Sequence, residues 1–164
     1  MTQLVQSRHI SANTFPSDVT PGLMRWLIAA GADEFTLIVM GIHGEIAAHA
    51  DAFEDAIEPF VIGLERRRVL VDADGQGSSR EIRLFAFNDA SLEALLPFIP
   101  GGLFHNLASP DGWLEDFACY RGGELMLGVV THLQEGTMRL TATEHAEVAQ
   151  LGVSSTESEE WVGY

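Results

Sequence analysis

The chain has 164 residues, with 24 acidic and 9 basic side chains and a formal net charge of −15. All the basic residues are arginine, and the missing lysine excludes P-loop nucleotide binding, Schiff-base or pyridoxal-phosphate catalysis and protein-kinase chemistry, since each needs a lysine amine. Hydrophobic residues make up 46% of the chain, which is the composition of a globular protein.

The sign of the charge limits the partners. A surface this acidic repels nucleic-acid phosphates and anionic lipid headgroups, so we expect neither nucleic-acid nor membrane binding. It attracts basic proteins and speeds their encounter. The single cysteine, Cys119, leaves no internal disulfide, and the longest apolar run is too short to span a bilayer. We therefore expect a cytoplasmic protein that uses no cofactor and no metal.

The first half of the chain predicts a strand between two helices. Residues 1–18 predict an irregular arm or an edge strand. A helix is predicted from Thr20, as its N-cap, with Pro21 at the first helical position and Gly31 at its end. The apolar run Glu34–Ile42 predicts a central strand. From Ile46, apolar residues recur at three- and four-residue spacing, which predicts a second helix that Pro59 kinks or divides.

The second half of the chain predicts hairpins separated by helices. The predicted elements are strands over Arg66–Ala73 and Arg80–Phe87, a helix capped by Asn88 and ending at Leu96, strands over Gly112–Arg121 and Glu124–Leu133 around the turn Gly122-Gly123, a short strand at Met138–Leu140 after a turn at Glu135-Gly136, and a helix from Thr141 or Thr143 to Leu151. This order predicts an α+β fold with a mostly antiparallel sheet and three to four helices. We expect one domain over 19–153 and a flexible acidic tail over 154–164.

Four carboxylates of the second predicted helix define an acidic strip. Asp51, Glu54, Asp55 and Glu58 are spaced at i, i+3, i+4 and i+7, so they share one helix face. Such a face is commonly just solvated. Because like charges at this spacing repel, a basic partner would stabilise it. The second interpretation predicts a non-enzymatic binding protein, of the inhibitor or immunity type, that neutralises a basic protein partner.

An enzymatic alternative depends on one histidine. His132 is predicted on a strand, and across the hairpin its nearest titratable groups are Glu115 and Asp116. A histidine–carboxylate pair suffices for general-base catalysis if it lines a pocket. Arg121 or Arg139 would then hold an anionic substrate. The alternative is an ordinary pair on the surface of a hairpin.

The only basic cluster of the sequence is Arg66-Arg67-Arg68. In a strand these residues alternate between the two faces, so at most two of them point the same way. Arg66 and Arg68 therefore form a candidate site for a small anion. The alternative is ion pairing within the protein.

A further alternative is self-association. Large apolar residues alternate with prolines and glycines between residues 97 and 107. If exposed, Phe98, Ile99, Leu103 and Phe104 would form a contact surface for a homodimer. If buried, they would belong to a compact loop that covers the core.

Overall fold

The computed structural model describes residues 4–39, 46–70, 77–104 and 114–158. The strands in these ranges are β1 (Val5–Ser11), β2 (Glu34–Val39), β3 (Val61–Leu70), β4 (Gly77–Ala86), β5 (Leu114–Arg121), β6 (Glu124–Val130), β7 (Glu135–Thr141) and β8 (Thr156–Glu157). The α-helices are α1 (Thr20–Ala29), α2 (Ile46–Ile57), α3 (Asp89–Leu95) and α4 (Ala142–Gln150). A 3-10 helix over Glu58–Phe60 continues α2 at Pro59, where the sequence predicts the interruption.

The strands form one eight-stranded sheet in the order β3-β4-β2-β5-β6-β7-β1-β8, and every neighbouring pair is antiparallel. With four α-helices in the described ranges, this confirms the predicted α+β fold. Both predicted hairpins are present, as β3–β4 and β5–β6. The apolar run before residue 40 is a central strand, β2, with β4 and β5 on either side.

A single large apolar cluster joins the helices to the sheet. Phe35 of β2 is fully buried at its centre, and its ring lies 5.0 Å from Phe85 of β4 and 5.8 Å from Phe117 of β5. Burying an aromatic side chain of this size contributes roughly 2–3 kcal/mol. Each helix adds buried residues to the same cluster, including Leu27, Phe53, Leu92 and Val148.

Most of the helix ends lie where the sequence predicts them. Asn88 and Thr141 each cap a helix: each side chain accepts a hydrogen bond from the backbone N–H three residues later, that of Ser91 and of Glu144. Gly31 and Gly152 follow α1 and α4 with φ of 98° and 95°, a conformation that glycine adopts without strain. The predicted cap at Thr20 is displaced by one position, because Thr20 is already helical.

The turn between β6 and β7 corrects two predictions. His132 lies in a 3-10 helix over Thr131–Leu133 and not on a strand. Glu135-Gly136, predicted as the turn, belongs to β7. The chain reverses instead at Gln134, which has a φ of 57° and whose Nε2 donates to the backbone oxygen of Phe104. A left-handed glutamine carries no turn signal in sequence, whereas the following glycine does.

The ends of the described chain join the sheet. Within 1–18, residues 5–11 form β1, which lies between β7 and β8. Within the predicted tail, residues 156–157 form β8 and pair with Arg8 and His9, while residues 159–164 lie outside the described part. No helix within the described ranges is long and apolar enough to cross a membrane.

Candidate functional site

Helix α2 presents the acidic strip to solvent. Phe53 and Ile57 anchor one side of the helix and are fully buried. On the other side, Asp51 and Asp55 are exposed. Glu54 lies about 60° around the axis from Ile57, so it sits at the boundary between the buried and exposed sides and is only 32% exposed. The strip predicted from sequence is therefore one continuous surface, with Glu54 turned toward the sheet.

Arg83 of β4 connects the strip to the sheet. Its Nη1 donates to Oε2 of Glu54 and, at 3.3 Å, to Oε2 of Glu58. Arg83 is two residues before Phe85, so both side chains leave the same face of β4. One arginine thus partly neutralises two of the four carboxylates, while Asp51 and Asp55 keep their exposure to solvent.

A groove of about 190 Å³ opens beside this ion pair. We call it the acidic groove; it is lined by Leu37, Ile38, Val39, Glu54, Glu81, Ile82, Arg83 and Phe85. It lies where β2 and β4 separate, because these strands pair only at Glu34↔Ala86 and Phe35↔Phe85 among the described residues. The groove combines apolar walls with two carboxylates and one guanidinium.

The structure brings His132 near a carboxylate, as the enzymatic alternative requires. The pKa of Glu115 is raised, mainly by burial and then by the charge of Asp116, while His132 acts to lower it. Asp116 is buried and its Oδ1 accepts a hydrogen bond from the backbone of Thr131. His132 itself is exposed and does not line the acidic groove. His132 is therefore close enough to influence the charge of Glu115, but it lies outside that cavity.

The two arginines proposed to hold a substrate are engaged within the protein. Arg121 Nη1 donates to Glu144 Oε1 at 2.6 Å and to the backbone oxygen of Ala30 at 3.0 Å. The Arg121 guanidinium is the main reason that the pKa of Glu144 is lowered to about 2. Arg139 Nη1 lies 3.8 Å from Glu124 Oε2. The contacts of Arg121 support a structural role for it, whereas the Arg139 pair is loose and Glu124 is 81% exposed.

The remaining predicted residues fall in β3 and after α3. Arg66 and Arg68 are paired in register with Glu81 and Ser79 of β4, and their side chains lie outside the described part. The predicted self-association residues Ile99, Leu103 and Phe104 are buried in the main core, and Phe98 packs against it. These residues cover the core. They therefore do not form the exposed apolar surface that the self-association hypothesis requires.

Sequence reasoning missed the groove residues on the strands. Glu81 and Arg83 carry no motif, and their proximity to α2 follows from the order of strands, which cannot be read along the chain. It also missed a second cavity of about 220 Å³ beside β1 and β8. That cavity is rich in hydroxyl groups and is lined by His9, Ser11, Thr14, Ser154, Ser155 and Thr156.

No three histidine, cysteine, aspartate or glutamate residues in the described ranges are grouped so that they could hold a metal ion. Burial raises the pKa of the Cys119 thiol, so it stays protonated at neutral pH. The chain matches no protein-family model, and no curated protein or solved structure is significantly similar to it.

Proposed function

We propose that this chain is a non-enzymatic binding protein that takes a basic segment of a protein partner into the acidic groove. The observation that supports this most directly is the position of the groove, which lies directly beside the acidic strip of α2. A patch of carboxylates alone would only solubilise the protein. A cavity with apolar walls and carboxylates at its edge offers a binding site for a cationic side chain with a long apolar stem.

Arginine and lysine side chains fit both parts of the groove. Their methylene stems bury well against apolar surface while the charged head stays in a polar environment. Val39, which is 36% exposed, and the half-buried Ile38 and Ile82 supply the apolar surface. Glu54 and Glu81 supply acceptors for the head. An incoming arginine would compete with Arg83 for Glu54, and a charge-assisted hydrogen bond would replace the existing one.

The net charge of the chain supports rapid association with such a partner. Complementary charge raises association rate constants from about 10⁵–10⁶ to as much as about 10⁸–10⁹ M⁻¹s⁻¹ at low salt. The exposed carboxylates of the acidic strip extend this field beyond the groove. A protein that covers and neutralises a basic surface of its partner acts as an inhibitor or immunity-type protein, and this requires no catalytic group.

The test compares three immobilised forms of the full chain as baits in a lysate of the native host. The first is the wild type. The groove variant removes two carboxylates from the groove, through Glu54→Gln and Glu81→Gln, and two from the adjoining acidic strip, through Asp51→Asn and Asp55→Asn. The matched control carries the same change in net charge at exposed acids elsewhere, through Asp18→Asn, Glu93→Gln, Glu124→Gln and Glu157→Gln.

The proposal predicts that a basic protein is retained by the wild type and the control, is released by salt, and is lost from the groove variant. Equal loss of retention in the groove variant and the control would contradict it, because the total charge and not the groove would then be responsible. Equal retention by all three baits would also contradict it, because the carboxylates removed in the groove variant would then not be needed for binding. Retention of no basic protein by the wild type at low salt would also contradict it.

A further inference from the structure

The acidic groove is bordered by open strand edges. β2 pairs with β5 along its whole length, from Glu34↔Tyr120 to Val39↔Leu114. Toward β4, however, its ladder ends at Phe35↔Phe85 among the described residues. β4 continues to pair with β3 as far as Leu70↔Gly77. From residue 36 to residue 39, β2 therefore has no ladder partner on this side in the described chain. Thr36 and Leu37 are buried there, and the half-buried Ile38 and the exposed Val39 form the accessible part of this edge.

A β-bulge is located where β2 leaves β4. Between the pairs Thr36↔Ala118 and Ile38↔Glu115, β5 contributes two residues and β2 only one. One of the two, Asp116, has a φ of 53°. A bulge bends its strand and increases the local twist of the sheet. The bulge lies beside the residues at which β2 stops pairing with β4.

Two hydrogen bonds hold the bulge in place. The backbone N–H of Asp116 donates to Oγ1 of Thr131 at 2.9 Å, and the backbone N–H of Thr131 donates to Oδ1 of Asp116 at 2.8 Å. Both residues are buried. A left-handed conformation at a residue other than glycine costs about 1–3 kcal/mol, so it persists only where the surroundings determine it. The conformation of the bulge is thus fixed by two buried hydrogen bonds.

We propose that the basic partner binds as an extended strand, adding to the open edge of β2 inside the acidic groove. This inference rests on the proposed function and specifies its mode of recognition. Unpaired edges are templates for strand addition, in which main-chain hydrogen bonds give affinity and pockets select alternate side chains. The charge of the groove selects the sequence: Glu54 and Glu81 accept basic side chains at alternate positions and repel acidic ones.

The segment recognised has a defined pattern. Side chains on one face of a strand recur every second residue, about 7 Å apart. One basic side chain would lie along the exposed Val39 with its head at Glu54. The residues between the basic ones face the other side of the sheet, where apolar β-branched side chains favour the extended conformation. Alternating arginine and valine satisfies both requirements.

The test uses two synthetic peptides of about ten residues, a typical upper length for one strand. Both alternate arginine and valine, and in the second every valine amide is N-methylated, which removes the donors on one edge without changing the charge. Binding to the full-length protein is measured by fluorescence anisotropy at low salt. Strand addition predicts that methylation weakens binding at least about tenfold, a difference of about 1.4 kcal/mol. It also predicts slower amide hydrogen exchange over residues 36–39 with the unmethylated peptide.

The remaining outcomes separate the two proposals. Equal binding of both peptides, with the groove variant weakened, would overturn strand addition and leave the basic-partner proposal standing. Binding of the unmethylated peptide that is the same in the wild type and in the groove variant would overturn both. Absence of binding to the wild type would also overturn both.

Discussion

Replacing Arg83 with glutamine tests the electrostatics of the groove. Arg83 is 40% exposed and pairs with Glu54 and Glu58, which are 32% and 69% exposed. Exposed ion pairs contribute about 0.2–1 kcal/mol each, and the Glu58 pair belongs at the low end of that range. We therefore expect Arg83→Gln to lower the free energy of unfolding by roughly 1 kcal/mol at low ionic strength.

Urea unfolding of matched variants measures this loss. Arg25→Gln is the control, because Arg25 makes a single pair with Glu93 at 2.8 Å and both side chains are more than half exposed. We expect it to cost less than about 0.5 kcal/mol. The Arg83 loss should shrink in about 1 M salt, where the screening length falls to about 3 Å. In a double-mutant cycle with Glu54→Gln, a coupling energy near zero would refute the pairing.

Arg83→Gln should also change the affinity of the protein for a basic peptide. Among the described residues that line the groove, Arg83 carries the only positive charge. Removing it makes the groove more acidic, so Arg83→Gln should bind the arginine–valine peptide several-fold more tightly at low salt, although the protein is less stable. If the variant binds more weakly, the guanidinium contributes to the site, and the assignment of the carboxylates as the acceptors would be wrong.

Three further predictions concern other parts of the fold. The lowered pKa of Glu144, about 2 in the fold against an ordinary 4.5, means that its ionised form stabilises the protein above about pH 4.5 and that this contribution is lost as the pH falls toward 2. Allowing for the partial exposure of Arg121, Glu144→Gln should cost roughly 2 kcal/mol at pH 7 in urea unfolding, and a difference that persists at pH 2 would contradict the assignment. Thr131→Val removes one hydrogen bond from the bulge and should weaken binding of the unmethylated peptide, whereas unchanged affinity would show that the groove does not depend on the bulge. Gly136→Ala places a Cβ 2.6 Å from a backbone oxygen of β6 and should lower the melting temperature through a loss of about 1–3 kcal/mol, while Gly22→Ala, which meets no atom within 4 Å, should not lower it.

The sequence predicted those parts of the fold that local chemistry determines. Helix ends at Asn88, Thr141, Gly31 and Gly152 were predictable because capping side chains and left-handed glycines act within a few residues. The hairpins were predictable because their strands are adjacent in sequence. The place of β1 between β7 and β8 was not, since the pairing joins the two ends of the chain.

The candidate site could be predicted only in part. The acidic strip follows from helical spacing alone, so all four carboxylates were named from the sequence. The groove beside it depends on a bulge at Asp116, on a separation of β2 from β4, and on Arg83 reaching α2 from another strand. Each of these is a contact between distant parts of the chain. No local pattern around these residues indicates them.

The most direct test is a titration of the arginine–valine peptide against the wild type, the groove variant and the matched control at about 50 mM and about 500 mM salt. At low salt we expect the groove variant to bind at least about tenfold more weakly than the wild type and the control within about threefold of it, with all differences reduced at high salt. Equal loss of affinity in the groove variant and the control would contradict the assignment of the acidic groove as the binding site.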